Sequence, residues 1–119
     1  MLKNPINILE KYYDKYKTWR EYANGKLKND YKNIFKKIDH FIFIKIPNFK
    51  MVFRWRLLQE EKMKKMSHIN KKVMSYYEIK RFIMFYERIT LQMLKDLSKS
   101  ASVVILMKKN HEIRRVAFR

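Results

Sequence analysis

The order of hydrophobic patterns predicts an α/β fold: helix, strand, helix, helix, strand, with the two strands parallel. Two observations identify the strands. "HFIFIKI" (His40 to Ile46) and "ASVVIL" (Ala101 to Leu106) are short and rich in β-branched or aromatic residues. Both are apolar at nearly every position and not at alternate ones, as in strands covered on both faces. A third observation is the pair of helical patterns between them. Two strands and three main helices do not cover their own sheet. The chain therefore reads as one flank of a larger sheet, a single partial domain over residues 1–119.

Each element has its own signal. Residues 1–17 are polar, aromatic-rich and only weakly periodic, and Pro5 disfavours helix at Asn4. From Thr18 the pattern is helical, with Tyr22, Leu27, Tyr31, Ile34, Phe35 and Ile38 on one side; Gly25 marks a break before Leu27. After the first strand, closed by Pro47, a helix is expected from Phe49 to Met66, with Met51, Trp55, Leu58 and the stem of Lys62 sharing one side. "SHINKKV" is a polar connector. Ser75 and Glu78 then form a capping box, followed by Ile79, Phe82, Ile83, Tyr86, Thr90, Met93, Leu94 and Leu97 at helical spacing. "KKNHE" reads as a turn and "IRRVAFR" as a short basic tail. There is no internal repeat and no low-complexity linker.

Composition removes several function classes. There is no cysteine, hence no disulfide and no thiolate nucleophile or ligand, which fits a reducing compartment. No apolar run reaches the ~18 to 20 residues that span a bilayer, and no signal-peptide core opens the sequence, so the chain reads as cytoplasmic with no membrane partner. The formal net charge of +18 admits a polyanionic partner. It equally fits the Lys-, Asn-, Ile- and Tyr-rich composition of an AT-rich genome, since the lysines are scattered and form no stripe.

The three histidines lie in three segments, with no H-E-x-x-H and no G-x-S-x-G, so neither a zinc site nor a hydrolytic triad is supported. No catalytic or metal-ligating set is assigned. Phosphate chemistry is better represented. Arg54 and Arg56, with Lys62, Lys64 and Lys65 further along, are suited to clamping phosphate oxygens, with Trp55 facing the opposite way as an anchor. A basic surface helix with one buried Trp is the equal alternative. A glycine-rich phosphate loop is impossible, because Gly25 is the only glycine.

Several segments, in order, resemble the C-terminal part of glycerate-kinase-like P-loop kinases, relatives of D-glycerate 3-kinase in the uridine kinase and phosphoribulokinase superfamily. "PINILE" is similar to a Pro-x-Asn-x-Leu-Glu segment, and "WREYANGKL" to Trp-Arg-x-Tyr-x-Asn-x-x-Leu. "YKNIFKKIDHFIFIKIPNF" resembles an Ile-Asp pattern entering a strand that ends in proline. "VFRWRLLQEEKM" is similar to V-x-x-W-R-x-x-Q-E. "MSYYEIKRFIMFYERIT" resembles a Met-Ser helix with a Tyr-Glu-Arg-x-Thr step, and "SASVVILMKKNHEI" a closing strand.

The resemblance implies the C-terminal flank of a P-loop kinase sheet, with the nucleotide-binding half absent. It implies a lid role over the transferring phosphate for Arg56, and secondarily Arg54, and an acceptor-side position for Trp19, Arg20 and Asn24. ATP and Mg are implied for the intact family and none is expected to bind this chain alone. The chain departs from the pattern at Leu91, Ser102 and Met107-Lys108-Lys109, where an arginine, an aspartate and an acidic turn are expected. Two versions follow: one half of a split kinase completed by a separately encoded P-loop half, which would then take a small-molecule acceptor, or a remnant. The alternative from another class is a small basic nucleic-acid-binding protein with non-specific affinity, using its lysines and Tyr12, Tyr13, Tyr16 and Trp19.

Overall fold

Seven elements are present in the structure, a computed structural model that describes residues 4–66 and 72–119. In chain order they are α1 (Ile8–Tyr13), α2 (Thr18–Phe35), β1 (Ile42–Lys45), α3 (Lys50–Met66), α4 (Tyr76–Ser100), β2 (Val103–Met107) and β3 (Ile113–Phe118). Residues 67–71 of the expected connector, His68 among them, lie outside the described residues. The chain divides into two compact units, Met1–Phe41 and Ile42–Arg119.

In the first unit, α1 was not legible as a helix because six residues are too few for a period to show. Its start is nonetheless encoded. The Asn7 side chain accepts the Glu10 N–H at 3.0 Å, and the Glu10 carboxylate accepts the Ile6 N–H at 3.0 Å. The second helix has a different device. Lys17 turns the chain in the left-handed conformation (φ 64°) and offers no side-chain cap. Asp14 substitutes, accepting the N–H groups of Trp19 and Arg20 at 2.9 and 3.1 Å. The break expected at Gly25 is absent. Helix α2 runs through it, because one interior glycine costs only about 1 kcal/mol, too little to break an 18-residue helix.

In the second unit the expectation of two parallel strands is corrected to a mixed sheet of three, in the order β1-β2-β3. Strand β1 pairs parallel to β2, with Phe43 opposite Val104 and Ile44 opposite Ile105. The supposed basic tail is strand β3, antiparallel to β2, with a register shift at Leu106/Met107. Its arginines obscured it. They sit on an edge strand, where charge is tolerated and alternation is weak.

Both helices of the β1-to-β2 crossover serve this sheet. Helix α4 contacts β1, and α3 packs on α4. The core is Phe43, Met51, Ile79, Ile83, Ala101 and Val104, with Ile79 fully buried. The expected capping box is present: Ser75 Oγ accepts the Glu78 N–H, and Glu78 accepts the Ser75 N–H at 2.8 Å. That second bond, with the Ser75 hydroxyl, holds the Glu78 carboxyl below its usual range.

Within this unit, α3 and α4 lie on one face of the sheet. On the other face lie Ile42, Val103 and Phe118 in one row and Ile44, Ile105 and Val116 in the next. Ile42 and Ile44 are 61% and 59% exposed. The all-apolar pattern of β1 predicts cover on both faces; Phe43 is buried, while Ile42 and Ile44 on the other face are exposed.

Candidate functional site

Helix α3 determines what the arginines of "FRWRLLQEEK" can do. At 100° per residue, Arg54 and Arg56 lie on opposite sides of the helix and cannot close on one phosphate. Arg56 turns toward α4. Its guanidinium forms an ion pair with Glu60, donates to Gln59 Oε1 at 2.7 Å, and lies 5.6 Å from the centre of the Phe82 ring. Glu60 is 3% exposed and also accepts the Met74 N–H at 3.0 Å. This network joins α3 to the segment leading into α4. It accounts for the Arg and Glu of the W-R-x-x-Q-E pattern by packing, and Glu60 was not singled out from the sequence.

Arg54 faces the other way, onto a groove of about 500 Å³. Met51, Trp55, Leu58 and Lys62, the stripe read from the sequence, form its helix wall together with Arg54 and Glu61. The facing wall is the turn after β2, contributed by Lys109, Asn110 and His111. Trp55 therefore shares a groove with Arg54, while Arg56 lies away from it. The indole is an anchor as expected. Its Nε1 donates to the Lys109 carbonyl at 3.0 Å, and its ring lies 4.2 Å from that of His111. His111 occupies the left-handed region (φ 66°), a conformation few non-glycine residues adopt, and the Trp55 contact covers it.

The electrostatics of the turn favour an anion. Glu112 is engaged by Lys108 at 2.9 Å, which holds its carboxyl below the usual range, so this acid is already paired within the hairpin. The groove also sits where β2 ends and α3 begins after β1. That is the carboxyl end of the parallel strands, where α/β sheets commonly place ligands. Lys109, Asn110 and His111 were read from the sequence only as a turn, since their partner Trp55 is 54 residues away.

Trp19, Arg20 and Asn24, the residues expected on the acceptor side, all lie on α2 in the first unit, Arg20 buried and the other two exposed. Arg20 is 5% exposed, with Nε donating to Asp14 at 2.9 Å, Nη1 to Glu10 at 3.4 Å and Nη2 to the Asp14 carbonyl at 3.0 Å. Burial pushes the Asp14 carboxyl up, but the N–H groups of Trp19 and Arg20 and the guanidinium outweigh it, and the net direction is down. Trp19 is exposed and stacked on Tyr22, and Asn24 is exposed. Tyr12, Tyr13 and Tyr16 are also exposed, with Lys11 and Lys15 laid over the rings of Tyr12 and Tyr16.

Among the described residues no three His, Cys, Asp or Glu stand together as a metal set, and no helix is long and apolar enough to cross a membrane. The architecture defines a class: a mixed α/β fold with a three-stranded sheet and a two-helix crossover packed on it. A particular protein shares it. The chain is similar to D-glycerate 3-kinase from Cryptococcus neoformans var. grubii serotype A, with a TM-score of 0.62 and 24% identity over 76% of this chain. It spans 32% of that kinase's length, and at this identity the likeness is one of fold. No protein-family model matches the chain, and no curated protein matches it in sequence.

Proposed function

We propose that this chain carries the lid and acceptor-side portion of a small-molecule kinase of the P-loop type. The parent reaction is ATP-dependent phosphoryl transfer to a hydroxyl of glycerate or a similar small compound. The observation that carries the reading is the half-covered sheet, whose fold matches about a third of a glycerate kinase. The reading calls for a P-loop half that adds strands at the edge of β1. Arg54 would present its guanidinium to phosphoryl oxygens, where such a group stabilises spread negative charge. Arg56 would hold the helix that carries it.

The residues present do not fit Mg–ATP by themselves. The only glycine is Gly25, inside α2, so no backbone loop is available to cradle phosphates. No step is assigned to ATP or the metal on this chain. The pure chain, given ATP, Mg and glycerate, is expected to release no ADP. Mixing it with the P-loop half of a glycerate kinase is expected to give a stable complex and glycerate-dependent ADP release. Turnover by the pure chain, or no complex with any such half, would overturn the reading.

A further inference from the structure

We propose that the groove between α3 and the β2–β3 turn is an autonomous binding site for a compact phosphate-bearing anion, of the size of pyrophosphate or a phosphate monoester. Arg54, Lys62 and Lys109 are its ligands, and the Trp55–His111 ring pair is its wall. The site stands on the charges of the groove and needs no nucleotide-binding half, so it does not rest on the kinase reading.

Three observations converge on it. First, the side chains of Arg54, Lys62 and Lys109 carry no ion pair or hydrogen bond among the described residues. The neighbouring Arg56 and Lys108 are both neutralised, by Glu60 and Glu112. The acid lining the groove is Glu61, so three cations against one carboxylate leave two positive charges, the complement of a doubly charged phosphate. Second, the walls are apolar where they meet the cations. Met51, Trp55, Leu57 and Leu58 line the groove, and such surroundings concentrate the field of the charges above them. Third, the turn is held in place. The Trp55 bond to the Lys109 carbonyl and the ring contact with His111 fix the segment that carries Lys109, so little ordering is left to the ligand.

A small anion fits better than a polymer. A groove of about 500 Å³ is of small-ligand size, within the range of roughly 300–1,000 Å³. A nucleic-acid backbone calls for a continuous basic stripe. Here the cations surround a concavity, and the rest of the positive charge is spread over the chain.

The test uses the full chain carrying Trp19→Phe, which leaves Trp55 as the only indole. Inorganic pyrophosphate is titrated at constant ionic strength while Trp55 emission is followed. A saturable change is expected, and the pair Arg54→Gln/Lys109→Gln is expected to raise the half-saturation concentration about tenfold or more. The pair Lys28→Gln/Lys32→Gln, equal in charge removed but on α2, is expected to leave it unchanged. All four side chains are exposed, and helix content by circular dichroism verifies folding. Arg54→Lys, which keeps the charge but loses the fork, is expected to fall between. Equal weakening by both pairs would mean diffuse attraction and would overturn the site. So would the absence of a saturable change, or duplex DNA binding at Trp55 that pyrophosphate does not displace.

Discussion

A guanidinium between two carboxylates in a unit this small is a liability if any member is lost. Arg20 and its partners Glu10 and Asp14 all have side chains at most 10% exposed. Removing the arginine leaves two buried carboxylates facing each other, a loss of about 3–5 kcal/mol. Arg20→Met is therefore expected to unfold the first unit, seen as loss of α2 helicity and a shift in Trp19 emission. Retention of both would refute the account. The double change Glu10→Gln/Asp14→Asn in that background should restore part of the loss. The pH dependence has a definite sign. The Asp14 carboxyl is depressed below its ordinary 3.8, so its contribution is fully present above that value. It is lost as pH falls from there through the folded value. Asp14→Asn should flatten the acid limb of the unfolding curve of this unit. Arg20 was legible in the sequence only as part of a Trp-Arg step, because the acids it meets lie six and ten residues earlier, across a turn that no periodicity reveals. The same holds at Glu60. The residues that carry the resemblance to glycerate-kinase-like proteins are, at Asn7, Glu10, Arg20, Arg56 and Glu60, capping and pairing groups that hold the fold.

At the scale of elements, the strongest helix is the one whose start and face agree. Ser75, Glu78 and the stripe from Ile79 were all readable, and the structure gives α4 from Tyr76 to Ser100. Ser75→Ala is expected to cost about 1 kcal/mol, measured as a lowered unfolding midpoint with unchanged denaturant dependence. Helix α2 offers the opposite case. A Cβ at Gly25 would meet nothing within 4 Å, so Gly25→Ala should stabilise α2 by roughly 0.5–1 kcal/mol. Destabilisation instead would show that another group approaches the glycine too closely for a Cβ. Periodicity located α2, α3 and α4, because burial of one stripe follows a fixed angle. It missed α1, too short to show a period, and β3, whose Arg114 and Arg115 interrupt the apolar pattern. The groove wall was legible on α3 and illegible on the turn, since a pairing 54 residues apart leaves no local mark.

At the scale of the molecule, the sheet carries exposed apolar residues on one face, and the strand pattern behind them was legible in the sequence. Strand β1, apolar on both sides, has Phe43 buried and Ile42 and Ile44 exposed. Substitutions on the exposed row should therefore separate folding from association. Ile42→Thr/Ile44→Thr is expected to change stability by less than about 1 kcal/mol, since exposed positions contribute little. It should nonetheless lower self-association in sedimentation and weaken capture of a P-loop half. A large loss of stability would mean that the row is covered by the chain itself. Strand β3 then sets a limit on what such a sheet can become. It is the edge opposite β1, and its Arg114 and Arg115 disfavour pairing with a further strand on that side. A scaffold that accepted neighbours at the β1 edge alone would have a valence of one, and its complexes would close at a defined stoichiometry without extending into fibres.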